Sequence, residues 1–267
     1  MDTLKILLVS IIQGITELLP ISSSAHIILF GTLLKIDITS ALLVLFHFGT
    51  TLAIILFFWK KIFYKLFSKN KLVFLLKLFL ASLPAGVAGL LFENTISSRL
   101  HHPWILGTSL VFWGILMIFV ERKFTKIHKE KINDIEEISW KQAFIIGLSQ
   151  TVALIPGTSR SGITTMTGIL LGLDKYTAFE YSFFLSIPVL GGTFVWLFLR
   201  NQVDSILRIV GEPIIPNIII TIFGTLLFSL LTLFVLKRIK RKNWLTFFGI
   251  YRICLGILVL LYFYLQH

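Results

Sequence analysis

One guanidinium stands among hydroxyls in the stretch Pro156-Gly157-Thr158-Ser159-Arg160-Ser161-Gly162-Ile163-Thr164. Pro156 and Gly157 break a helix, and a new helix is expected to begin near Ser161. The free N–H groups of such a start, the positive end of its dipole and a fork of donors beside it are the parts of an anion site. A second group of reactive residues lies near the N-terminus. Gln13 and Glu17 stand four apart, on one helical face; Pro20-Ile21-Ser22-Ser23-Ser24 breaks that helix, and His26 follows at once. A carboxylate can orient or deprotonate a histidine, a histidine can activate a serine, and a serine can attack phosphorus, which is the minimum for covalent or base-assisted hydrolysis. The plainer readings are serines as helix caps, His26 as a hydrogen-bonded interior histidine, and Arg160 snorkelling from an ordinary kink.

The surroundings favour the chemical reading. The chain has 267 residues, 56% of them hydrophobic and only 14% charged, and a mean hydropathy of +0.89. Soluble domains carry about 25% charged residues, so this is the composition of an integral membrane protein. An arginine or glutamate held at membrane depth is costly and reads by default as functional. The net charge of +12 does not point to nucleic acid, because the lysines flank apolar segments, where they set orientation. The single cysteine, Cys254, leaves no intramolecular disulfide and no cysteine-rich metal site. No small-residue cleavage site follows the first apolar run, so no removable signal peptide is expected.

Residues 4–19 and 25–34 are both shorter than the roughly 20 needed to cross a bilayer and flank the first break, so they predict a re-entrant hairpin buried in protein. Full spans are expected at 41–59, 72–92 and 103–120, then a polar loop at 121–139. The order recurs with a broken pair at 140–154 and 160–173, and spans at 176–199, 214–236 and 244–265. A shift of 137 positions puts Gly31 on Gly168, Gln13 on Gln150, Ser22 on Ser159, Ser24 on Ser161, Phe46 on Phe183 and Trp59 on Trp196. The expectation is one all-α membrane domain over 1–267, built of repeats at about 1–121 and 139–267, each with one hairpin and three transmembrane helices. Three crossings per half invert the second repeat relative to the first, an arrangement that brings broken helices together at the midplane.

Basic clusters at Lys60, Lys61, Lys65, Lys69 and Lys71, at Arg122, Lys123, Lys126, Lys129, Lys131 and Lys141, and at Lys237, Arg238, Lys240, Arg241 and Lys242 fall on one predicted side. The positive-inside rule makes that side cytoplasmic, with both termini outside. The opposite loops carry only scattered cations, Arg99, Arg200 and Arg208 among them. Glu93 and Arg252, near span ends, are expected to meet water, and Trp59, Trp104, Trp140 and Trp244 fit interfacial belts. His47 is assigned equally to lining the cavity and to packing. No carboxylate pair has metal-binding spacing, and His101-His102 lie in an outward loop. No tightly bound cofactor or metal is expected; a divalent cation, Mg or Ca, would arrive on a diphosphate.

Gln13-Gly14-Ile15-Thr16-Glu17-Leu18-Leu19-Pro20-Ile21-Ser22-Ser23-Ser24-Ala25-His26 resembles the first motif of the bacterial undecaprenyl-diphosphate phosphatases of the bacitracin-resistance type, and Pro156 to Thr164 resembles their second, PGxSRSGxT. The resemblance runs over nearly the whole chain. It implies hydrolysis of undecaprenyl diphosphate to undecaprenyl phosphate and inorganic phosphate in the bacterial plasma membrane, recycling the lipid carrier for peptidoglycan, with the site open to the outer face. By position, it makes Glu17 and His26 the acid–base groups and Ser23 the candidate nucleophile, with Ser22 beside it. Arg160, Ser159, Ser161, Thr164 and Gly157 would hold the phosphates, and Gln13, at the first acidic position of the E/QxxxE pattern, would bind through its amide. His47 stands where the family commonly has glutamine. Membrane lipids are the expected surroundings and nucleic acid is not a partner; whether the chain is a homodimer stays open. The rival reading is a polyprenyl-phosphate flippase or anion transporter that uses the same inverted-repeat site.

Overall fold

The computed structural model describes residues 3–36, 38–92, 102–124, 132–199, 213–238 and 243–266. Glu93, Arg99, His101, Lys126, Lys129, Lys131, Arg200, Arg208, Lys240, Arg241 and Lys242 lie outside them. The described residues form helices and short turns. In chain order these are α1 (Thr3–Thr16), α2 (Ser23–Leu34), α3 (Ser40–Phe57), α4 (Trp59–Phe63), α5 (Lys69–Leu91) and α6 (Pro103–Phe124), then α7 (Trp140–Ser149), α8 (Arg160–Leu170), α9 (Lys175–Leu199), α10 (Ile214–Arg238) and α11 (Trp244–Gln266). Short 3₁₀ turns cover Ile135–Glu137 and Gln150–Leu154.

Helices α5, α6, α9, α10 and α11 are long and apolar enough to cross a membrane. The remaining expected span is the apolar run Ala41–Phe57 of α3; its 17 residues sit at the lower end of the spanning range of about 17–25. The broken pairs are short. At 1.5 Å per residue the 14 residues of α1 and 12 of α2 reach roughly 21 and 18 Å, well under a hydrocarbon core of about 30 Å. The polar loop is smaller than its composition suggested, because α6 continues to Phe124 and Ser139 opens α7 with a capping box.

The chain folds into two compact units that interleave the sequence halves. One comprises residues 1–18, 25–66 and 186–240, the other 19–24, 67–185 and 241–267. In the first, α10 carries Asn217, Thr221, Thr225 and Ser229, all fully buried and four residues apart. These small polar side chains form one stripe. Thr3 donates to Asn217 Oδ1 at 2.9 Å, and Ser229 Oγ meets Thr50 Oγ1 at 3.2 Å, so α1 and α3 are joined to α10 by hydrogen bonds that hydrocarbon cannot compete for. In the same unit Ile6, Ala41, Leu45 and Leu197 form a buried apolar cluster, with Ile218 and Ile222 of α10 packed against it.

In the second unit, α6 and α11 touch along paired glycines. A Cβ on Gly114 would lie 2.7 Å from Gly249 O, one on Gly249 2.8 Å from Gly114 O, and one on Gly256 2.8 Å from Gly107 O. Lipid supplies no hydrophobic drive between helices, so this close backbone approach is what joins them. It also carries Arg252, between the two α11 glycines, into the interior with no exposed surface. That corrects the expectation that Arg252 meets water. Trp244 departs from the belt reading as well: it is 4% exposed and packs on Phe179, whereas Trp59, Trp104 and Trp140 are exposed.

Gly249→Ala is expected to destabilise the protein by about 1–3 kcal/mol through overpacking. Gly191→Ala, whose Cβ would meet nothing within 4 Å, should hold or raise stability. Thermal unfolding of both variants in detergent checks the contrast.

Candidate active site

The two breaks of the sequence, Leu19–Ser24 and Ile155–Ser159, fall in the same compact unit. In the second break Gly157 has φ +89°, and a Cβ there would lie 2.8 Å from Leu106 O and 2.9 Å from Ser109 Cβ; only glycine fits both the conformation and the space. Two residues on, Ser159 caps α8 with φ 68°, accepting from Gly162 N at 3.3 Å. Ser22, just ahead of α2, has φ 71°. A non-glycine residue with left-handed φ is uncommon and costs of order 1–3 kcal/mol. The same conformation therefore occurs at equivalent places of the two motifs, and the same spacing relates Lys35 (φ 53°) to Gly172 (φ 92°) at the ends of α2 and α8.

Hydroxyls line both breaks. Ser22 Oγ and Ser24 Oγ are 3.0 Å apart; Ser159 Oγ and Ser161 Oγ are 3.3 Å apart. Ser161 Oγ donates to Leu19 O at 3.1 Å, a direct link between the two motifs. Thr164, expected to hold phosphate, turns its hydroxyl to Ser182 Oγ and to Arg160 O, both at 2.8 Å. Arg160 is the first residue of α8 and half-buried, so its guanidinium starts from the positive end of the dipole. Ser23 is the first residue of α2 and likewise half-buried.

The acid and base groups are placed in the other unit, covalently next to the first break. Glu17 precedes Leu19 by two residues and His26 follows Ser24 by two. Glu17 is 8% exposed, and its Oε2 accepts from Gln13 Nε2 at 3.0 Å. His47 Nε2 of α3 lies 3.7 Å from the same oxygen. Gln13 thus gives one N–H of its amide to Glu17, one turn along α1. His26 is buried, at 5% exposure. An oriented carboxylate with an imidazole beside it can carry a proton in either direction. Among the described residues no group of three His, Cys, Asp or Glu side chains is close enough to hold a metal ion.

Two further residues join the site. Sequence assigns His47 equally to packing and to the cavity, and its contact with Glu17 brings it to the acid. Arg252 reads from sequence as a span-end residue. Its signal was the charge itself: it is the ninth residue of a 23-residue apolar helix, where a cation needs a partner. Its Nη1 donates to Pro20 O at 3.3 Å and its Nη2 to Gly157 O.

The family model described as "Bacitracin resistance protein BacA" matches residues 6–258. A relative from Campylobacter jejuni named Undecaprenyl-diphosphatase is 38% identical over 274 residues, covering 100% of this chain and 96% of its own. One of the same name from Desulfitobacterium hafniense is 33% identical, covering 98% and 96%. Undecaprenyl-diphosphatase 1 from Clostridioides difficile is 34% identical, covering 99% and 97%.

Replacing the α8 cap tests the local construction. Ser159→Ala is expected to cost about 0.5–2 kcal/mol of stability and Ser159→Gly only a few tenths, because glycine accepts the left-handed φ. Thermal unfolding of the two variants reads the difference.

Proposed function

The chain belongs to the bacitracin resistance protein BacA family, and from that premise we propose that it hydrolyses undecaprenyl diphosphate to undecaprenyl phosphate and inorganic phosphate. The observation that carries this reading is the joining of two serine-headed helix starts, α2 and α8, by the hydrogen bond from Ser161 to Leu19 O. Two helix N-termini, their hydroxyls and one arginine suit a group with several negative oxygens. The substrate supports it too: its tail stays in lipid, so the head group must be met at membrane depth.

In this proposal Arg160, with Ser159, Ser161, Thr164 and the Gly157 backbone, holds the diphosphate and stabilises charge as it develops. Ser23 Oγ attacks the terminal phosphorus, its proton passes to the Glu17–His26 pair, and the bond from that phosphorus to the bridging oxygen breaks. Undecaprenyl phosphate departs carrying the bridging oxygen. Having handed the serine proton to the departing phosphate, the pair takes one from water, which attacks the phosphoserine phosphorus; the bond to Oγ breaks, that proton returns to Ser23 Oγ and inorganic phosphate leaves. Ser22 supports the attacking side, and Gln13 orients Glu17. A divalent cation, Mg or Ca, would be carried by the diphosphate and would supply charge neutralisation there. The site opens to the outer face of the plasma membrane and both termini lie outside; the cytoplasmic side is marked by Lys60, Lys61, Lys65, Lys69, Arg122, Lys123, Lys237 and Arg238. Recycling the carrier in this way supports peptidoglycan synthesis and raises bacitracin resistance.

Purified protein in detergent is expected to release phosphate from a polyprenyl diphosphate. Arg160→Ala should lower kcat by about 10²–10³ and Glu17→Gln by about 10²–10⁴, both still folded. Ser23→Ala should match them, with a phosphoserine trapped by the wild type and seen by mass spectrometry. An active Ser23→Ala would instead assign the attack to water. Lipid binding without phosphate release by the wild type would favour a carrier that moves polyprenyl phosphate.

A further inference from the structure

Arg252 has no exposed surface, and among the described residues no carboxylate lies within ion-pair distance of it. A buried arginine without a counter-ion is costly to keep, so its neighbours indicate what it is kept for. They are two carbonyls and a thioether: Nη1 donates to Pro20 O at 3.3 Å, Nη2 to Gly157 O, and Met117 Sδ stands 3.8 Å from Nη1. Pro20 and Gly157 occupy the same place in the two motifs. Each lies two residues before the serine with left-handed φ that leads into α2 or α8. One planar fork therefore grips equivalent points of both breaks, and its charge remains unneutralised.

We propose that Arg252 is a positioning residue for the reaction: it locks the two serine-headed breaks in one geometry and lends a second positive charge to the diphosphate they receive. This rests on the phosphatase reading above. The fork geometry matters as much as the charge, because a lysine offers one point donor where the arginine reaches two carbonyls at once. The charge acts through a low-dielectric interior, where it is weakly screened. The position has no counterpart in the other half, since the same shift places Ile115 there; a single arginine serves both hairpins. Close packing leaves it little freedom, as a Cβ on Gly162 would lie 3.3 Å from Nη1.

The test is steady-state phosphate release from a polyprenyl diphosphate by the full chain in detergent, with wild type, Arg252→Lys and Arg252→Met, and rates corrected for the folded fraction from thermal melts. Arg252→Lys keeps the charge and loses the fork, so kcat per folded molecule should fall at least about tenfold with KM within about threefold. Arg252→Met should show the same fall in kcat and in addition a KM raised at least about fivefold. Wild-type kcat and KM in either folded variant would overturn the proposal, as would a loss explained entirely by the folded fraction. If neither variant folds, Gly162→Ala decides, read beside Ser159→Ala because its Cβ would lie 3.3 Å from both Nη1 and Ser159 Oγ: a kcat lowered severalfold at unchanged KM, and lowered further in Gly162→Ala than in Ser159→Ala, is expected, and wild-type kinetics, or a loss no greater than that of Ser159→Ala, would overturn it. A wild type that releases no phosphate would instead sink the phosphatase reading itself.

Discussion

Backbone groups at membrane depth must find partners inside the protein, and the two helix breaks depend on that constraint being met. Breaking a helix frees carbonyls at its end and N–H groups at the next start. Here the carbonyls of Leu19, Pro20 and Gly157 are taken by Ser161 and Arg252, and the α8 start is capped by Ser159. The groups that repair the breaks are hydroxyls and a guanidinium, which are also the groups that bind phosphate. Structural necessity and anion chemistry thus coincide, and the breaks can persist only because the side chains around them are polar. The glycine contacts of α6 and α11 matter for the same reason, since they carry Arg252 to the carbonyls.

The two sequence halves share a frame and divide the chemistry. The pairs Gln13 and Gln150, Ser22 and Ser159, and Ser24 and Ser161 match in type, and the left-handed φ of Ser22 matches that of Ser159. At the positions that differ, the first half has Glu17, Ser23 and His26 where the second has Leu154, Arg160 and Ile163. The carboxylate, the additional serine and the imidazole are thus concentrated around one break and the guanidinium beside the other. An enzyme for a diphosphate needs both, whereas two copies of either hairpin would supply only one. This asymmetry favours catalysis over a symmetrical carrier.

Much of this was legible in the letters. Composition gave the membrane class, proline and glycine placed the breaks within a few residues, and the spacing of Gln13 and Glu17 became a hydrogen bond across one helical turn. What escaped depended on neighbours distant in sequence. Arg252 is buried through glycines on α6 and α11 whose facing is not encoded in either segment alone, and Trp244 is buried against Phe179 of another helix. The value of His47 was hidden because its contact lies 30 residues away, at Glu17. Hydropathy likewise could not foresee that α9 contributes to both compact units, changing allegiance at Ser186 just before Pro188.

If the two breaks together receive one diphosphate, the place where that group binds will show it. A non-hydrolysable polyprenyl diphosphate analogue with a photoreactive group on its terminal phosphonate can be crosslinked to the protein in detergent and the adducts mapped by tandem mass spectrometry. Adducts are expected in both Leu19–Ser24 and Pro156–Thr164, suppressed together by excess inorganic pyrophosphate. Adducts confined to one break, or lying on the exposed faces of α10 or α11, would contradict this.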